Sequence, residues 1–294
     1  MAGDRTGIPT SADGKIDELG VDPALGGAVW QLTGRYERRS RGHRHPEWEF
    51  NLLMGGRATY LVGDRRVELR RGTGVWLLPT QPHLLLESSE RARMWIAVID
   101  TALIAEIADT PGFGAWAAWL AGHGPDGPLV RGYTEPDAAL LDGLCRRLAE
   151  SPPPPPARRR PLLATLFAEA WLAHGRGTPH PVGPHLHPGV AAAAAWLAEH
   201  AASAEADSIT ALAERVHVSR SHLSRLFHAQ IGCTLIDFRN RLRVQRFIEL
   251  GRAGHPLAEA ADAAGFRDYT QAYRQTRTHL GRSPRAAVAD RTQA

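Results

Sequence analysis

Three imidazoles and a carboxylate are the residues of this 294-residue chain best suited to chemistry. In the run His43-Arg44-His45-Pro46-Glu47-Trp48-Glu49, residues 43, 45 and 49 share parity, so on an extended strand they point the same way. His83, after Pro79-Thr80-Gln81-Pro82, arrives from a neighbouring strand. Converging inside a barrel, the four make a site for a first-row divalent metal such as Fe, Mn, Ni or Zn. The same groups serve as hydrogen-bonding partners for a small effector, or as buried scaffold, and all three readings stay open here. Trp48, Trp76 and Trp95 are candidates to stack on an effector ring, with buried core as the alternative for each. No GxSxG, Walker A or HExxH pattern occurs, and the single lysine, Lys15, argues against Schiff-base chemistry. Cys145 and Cys233 are too few for a disulfide framework or a Cys-rich zinc module.

A second constellation binds rather than reacts. Residues 208–294 hold 14 arginines against 7 acidic groups, whereas residues 1–207 hold 21 basic and 24 acidic ones. Clustered arginine suits phosphate and guanine, because its planar fork bonds both bidentately. Ile209, Leu212, Ala213 and Val216 fall at helical spacing, His217-Val218 turns the chain, and Ser219 is a good N-cap for a helix over 220–229. That helix would bury Leu223, Leu226 and Phe227 and leave Ser221, Ser224 and Arg225 outward. After a long helix over 236–250 the theme recurs. Residues 257–264 form a helix, Gly265-Phe266 a turn, and 268–279 an outward helix exposing Tyr269, Thr270, Tyr273 and Arg274. Two such units joined by one helix place two recognition helices in successive major grooves, about 34 Å apart.

The signatures Ser219-Arg220-Ser221-His222-Leu223-Ser224-Arg225-Leu226-Phe227, Arg241-Leu242-Arg243, Ala264-Gly265-Phe266 and Gly281-Arg282-Ser283-Pro284 resemble the DNA-binding domain of AraC/XylS-family transcriptional regulators over about residues 188–290. The resemblance implies base-edge contacts for Ser221, Ser224, Arg225, Tyr269, Thr270, Tyr273 and Arg274. It leaves phosphate contacts for Arg220, Arg239 and Arg277. Two positions depart from the family: Thr276 replaces a Phe and Ala272 a larger apolar residue, which implies a looser second unit. The HxHxxxE spacing with Gly56, then P-xxx-H, is similar to the two cupin motifs, in which residues at His43, His45, Glu49 and His83 bind metal. Glu37 stands where those motifs lead with Gly, Pro46 interrupts the strand, and Glu87 stands where Asn is usual.

The elements that must position these groups form an α+β, two-domain chain. A flexible arm spans 1–26, and an antiparallel, cupin-like barrel spans 27–100, with strands near 57–62, 65–69, 75–78 and 94–99. A helical dimerisation and linker region spans 101–178, with helices near 103–108, 113–120, 137–150 and 162–174 and a polyproline spacer at 152–156. A double helix-turn-helix domain spans 186–290. His180, His185 and His187 fall in the Pro/Gly-rich break between them and read as a solvated linker. No secretory signal or membrane-spanning run is visible, so the expected setting is cytoplasmic. The expectation is a regulator, an activator rather than an enzyme, that senses a small molecule, as a sugar would be, and binds promoter double-stranded DNA. A homodimer and RNA polymerase are its further partners. The alternative is a metal-dependent cupin enzyme fused to a DNA-binding tail.

Overall fold

The computed structural model describes residues 25–34, 45–114, 116, 118 and 127–289, so His43 and most of the N-terminal arm lie outside the described residues. The chain divides into two compact units, one running to Gly183 and the other carrying Pro184 onward.

The first unit is built from β1 (Gly27–Thr33), β2 (Trp48–Gly55), β3 (Arg57–Val62), β4 (Arg65–Arg70), β5 (Thr73–Leu77), β6 (His83–Ser88) and β7 (Arg93–Ile99), followed by the short β8 (Leu129–Gly132) and β9 (Thr178–Pro179). They make two antiparallel sheets, ordered β1-β7-β2-β5-β8-β9 and β4-β3-β6. The three-stranded sheet follows the hairpin expected at 57–69, with Arg57 opposite Arg70 and Val62 opposite Arg65. β2 is the organising strand. Trp48, Phe50 and Leu52 enter one large apolar core with α1 (Thr101–Ala108), α2 (Glu135–Leu148) and α3 (Pro156–Arg176). Its alternate residues Glu49 and Asn51 turn to the three-stranded sheet, where they meet His83 and Tyr60. Trp76, Trp116 and Phe167 fill the layer between this sheet and the helices with no solvent exposure.

Two local differences from the sequence reading stand out. The region read as wholly helical contributes two strands: β8 pairs with β5, placing Val75 opposite Val130, and β9 extends the same edge. Four residues between helical runs are too short to declare a period. The proline run is also less of a spacer than expected, because α3 begins at Pro156 with Pro155 as its N-cap. Proline's fixed φ and missing N–H suit the first helical position.

From Pro188 the regular elements of the described residues are helical: α4 (Pro188–His200), a 3-10 turn (Ala204–Asp207), α5 (Ile209–Arg215), α6 (Arg220–Ile231), α7 (Leu235–Arg252), α8 (Leu257–Ala263), α9 (Tyr269–Leu280) and α10 (Pro284–Ala289). Side-chain caps set the starts: Ser208, Ser219, Thr234 and Asp268 each accept a backbone N–H three residues on. Thr276 and Ala272, read as loosening the second helix-turn-helix, are fully buried, and Thr276 Oγ1 donates to the Ala272 carbonyl at 2.7 Å. Phe247 and Phe266 fill the space beside them, edge to face at 6.2 Å. Among the described residues no helix is long and apolar enough to cross a membrane.

Candidate functional site

Between the two sheets of the first unit, His45, Glu49 and His83 are brought together, each under 5% exposed. His45 precedes β2, and its carbonyl accepts the Thr80 N–H at 2.8 Å, which stitches this segment to the turn leading into β6. His83 then opens β6, facing Glu49 of β2. His45 Nε2 lies 3.1 Å and His83 Nε2 3.6 Å from Glu49 Oε2, with the two rings edge to face at 5.1 Å.

The far nitrogens decide what the near ones can do. His45 Nδ1 is 3.1 Å from the Glu47 carbonyl and His83 Nδ1 is 2.9 Å from the Gln81 carbonyl. A carbonyl only accepts, so both Nδ1 atoms carry protons and both Nε2 atoms turn toward Glu49. Backbone carbonyls hold metal-ligating histidines in this tautomer. The three ligand atoms lie within 4.8 Å of one another, and a first-row ion with bonds of about 2.0–2.2 Å spaces its ligands by roughly 3–3.5 Å. The set therefore fits a metal. Without one, His45 needs a second proton to donate to Glu49. Burial works to lower the His45 pKa, yet the hydrogen bond and charge of Glu49 leave it raised. Burial likewise works to raise Glu49, but hydrogen bonds and charge from the two histidines hold it well below the usual carboxylate range.

Sequence reasoning missed the residues that aim this carboxylate. Asn51 Nδ2 donates to Glu49 Oε1 at 2.6 Å and to the Tyr60 hydroxyl at 3.1 Å, and that hydroxyl faces Met94 Sδ at 3.9 Å. Asn51 shares strand parity with Glu49, which was the available signal. Its Oδ1 is buried with no hydrogen-bond partner among the described residues.

The three tryptophans proposed as a stacking platform are corrected by their placement. Phe50 opposes Trp76, Leu52 opposes Trp95 and Trp48 opposes Ile99, so all three indoles lie on the helix-packed face of the sheet, away from Glu49. Trp48 and Trp76 pack edge to face at 6.3 Å, and Trp95 Nε1 donates to Asp142 of α2 at 2.7 Å. They form core. His43, outside the described residues, stays a sequence candidate only. His180 reaches the Glu68 carbonyl and His187 caps α4, and among the described residues neither joins a ligand cluster.

In the second unit α6 and α9 each follow a short helix and a turn, as expected. Arg220, Ser221 and Arg225 are exposed and Ser224 half-buried on α6, and Thr270, Tyr273, Arg274 and Arg277 are exposed on α9. Tyr269 is half-buried, its ring packed on Phe247 and Tyr273, so only part of it remains for a base edge. Arg239 departs from its expected phosphate role. It bonds the Ala206 carbonyl at 3.0 Å and Asp207 at 2.8 Å, with its side chain 11% exposed. Burial and the nearby Arg243 charge lower its pKa. Arg243, 2% exposed, donates to the Ala201 and Ser203 carbonyls and shares Asp207. The two arginines clamp the 3-10 turn to α7 and thereby fix the first recognition unit to the linking helix.

Two family models match the chain: an AraC-like ligand binding domain over residues 31–177, which is half of it, and a helix-turn-helix domain over residues 212–289. Among solved structures, the chain is similar to ToxT from Vibrio cholerae O395, at 12% identity over 89% of this chain and 96% of that one, with a TM-score of 0.42. It is also similar to the C-terminal domain of AraT, a response regulator from Geobacillus stearothermophilus, at 24% identity over 37% of this chain and 89% of that one, with a TM-score of 0.34. The AraC-like transcriptional activator CuxR matches at 15% identity over 85% and 90% of the two chains, with a TM-score of 0.37. The family assignment rests on the two models, not on these overlays. Among curated proteins no significant match was found.

Proposed function

The chain belongs to the AraC family of transcription regulators, and on that premise we propose what its sensor holds and which residues meet DNA. It is a ligand-sensing, DNA-binding regulator. We infer that His45 Nε2, Glu49 Oε2 and His83 Nε2 hold a first-row divalent metal, with His43 as the sequence candidate for a fourth ligand. The observation that supports this is the pair of Nδ1 protons committed to backbone carbonyls, which leaves both Nε2 atoms for an ion. A bound ion supplies an electrophilic anchor for an oxygen-bearing effector. The protein's part is to aim Glu49 through Asn51 and Tyr60 and to keep the site buried. The cluster binds and does not turn over substrate.

A second reading draws on Asn51 Oδ1: without metal, the same groups hydrogen-bond the hydroxyls of a sugar-like effector. In either case an effector that favours one arrangement of a homodimer by about 1–3 kcal/mol suffices to change DNA affinity. The homodimer forms through the helical 101–178 region. On DNA, Arg225, the exposed residues Ser221, Thr270, Tyr273 and Arg274 and the half-buried Ser224 read bases, while Arg220 and Arg277 hold phosphate. The regulator works in the cytoplasm and activates by engaging RNA polymerase.

Elemental analysis of the purified full-length protein tests the sensor. We expect near one metal per chain, lost in His45→Ala. A protein that stays empty after reloading with Mn, Fe, Ni or Zn would sink the metal reading and leave the hydroxyl-binding one.

A further inference from the structure

We propose that His222 is a positioning residue for Arg225, holding its guanidinium ready for the base it reads. The proposal rests on the reading of Arg225 as a base-contacting residue. Arg225 is exposed on α6, yet its Nη2 lies 2.9 Å from His222 Nδ1, one turn back on the same helix. A guanidinium has donors only, so His222 accepts through Nδ1 and keeps its proton on Nε2. Among the described residues no carboxylate pairs with Arg225.

His222 is itself held. Its ring meets that of His187 at 6.0 Å with the planes 89° apart. His187 is fixed at the start of α4: its backbone N–H donates to Gln230 Oε1 at 2.9 Å, and its Nδ1 accepts the Gly189 N–H at 3.1 Å. Glycine at 189 permits this approach, because a Cβ there would sit 2.7 Å from Val218 Cγ2 in the turn before α6. A line of contacts thus runs from Gln230 through His187 and His222 to Arg225, beginning and ending on α6. An exposed arginine surrenders rotamer freedom when it docks, and a guanidinium already held by one N–H surrenders less. The bond to His222 uses one donor of five, which leaves a fork for guanine O6 and N7.

The test uses the full-length protein and a duplex selected by it from a random pool, with every base pair of the site substituted in turn. Arg225→Ala first locates the base pair that this arginine reads. His222→Leu should then lose roughly five-fold of discrimination at that base pair alone. His222→Gln, whose amide oxygen still accepts from Arg225, should retain it. Unchanged discrimination in His222→Leu overturns the proposal, and so does an equal loss at all positions in both variants, which marks a merely structural role. If Arg225→Ala shows no position-specific loss, the base-reading assignment itself fails and the proposal falls with it.

Discussion

At the scale of single residues, exposure and existing bonds divide the arginines of the second unit into different kinds. Arg225 and Arg277 are exposed, whereas Arg239 and Arg243 are committed to Asp207 and to carbonyls of residues 201–206. The family resemblance left Arg239 to phosphate, and an arginine on a long helix looks the same in sequence whether it faces solvent or a neighbouring turn. Arg225→Ala should cost about 1–3 kcal/mol of discrimination at one base pair. Arg277→Ala should weaken all duplexes similarly and lower the salt slope by about one unit, as for a lost phosphate contact. Competition binding at several salt concentrations reads both. Equal behaviour of the two variants on selected and random DNA would reverse the base and phosphate assignments.

At the scale of elements, the second helix-turn-helix depends on how closely its turn approaches the end of α4. Gly265, between α8 and α9, has φ +83°, and a Cβ there would lie 2.5 Å from the Ala202 carbonyl oxygen. Gly281, after α9, has φ +72° but nothing within 4 Å of that position. Both alanine substitutions meet the left-handed backbone penalty of about 1 kcal/mol, and only Gly265→Ala adds a backbone clash. Urea unfolding should therefore show Gly265→Ala losing roughly 2–4 kcal/mol and Gly281→Ala about 1. Similar losses for the two would mean that the turn can move away from Ala202. The first unit shows the element-scale lesson in reverse. β2 is buried along nearly its whole length; its Trp48-Glu49-Phe50-Asn51-Leu52 alternation separates Glu49 from the aromatic face, but it does not tell which face packs against the helices and which against the second sheet.

At the scale of the whole molecule, the helical layer of the first unit contains a titration of its own. His174 is stacked on Trp171 at 5.9 Å with planes 8° apart, and its Nδ1 lies 3.4 Å from the Tyr133 hydroxyl. Burial, with a smaller push from the Arg131 charge, lowers its pKa to about 4. The unfolded chain binds this proton near pH 6.5. Between those values the unfolded state holds more protons, so stability is full above about pH 6.5 and declines as pH falls toward 4. The loss should reach on the order of 3 kcal/mol, and His174→Gln should flatten it. Seven of the eight tryptophans precede residue 184, so indole fluorescence during denaturation follows the first unit. A wild-type stability profile that stays level from pH 7 to pH 4 would contradict the assignment.

The double helix-turn-helix was legible in the sequence because local rules build it. Apolar residues at helical spacing, caps such as Ser219 and Asp268, and turns at 217–218 and 265–266 act within a few residues of one another. His45, Glu49 and His83 were nameable for a similar reason, since spacing and residue type restrict what they can do. Their tautomers were not, because Nδ1 partners at Glu47 and Gln81 are loop carbonyls without a side-chain signature. Nor were the roles of Asn51, of the tryptophans or of β8, each of which depends on which surface packs against which. Sequence by itself determined the secondary structure of the second unit and the chemical inventory of the first. Only tertiary structure decided which face of β2 meets the histidines, because that choice is made by helices some fifty to a hundred residues further along the chain.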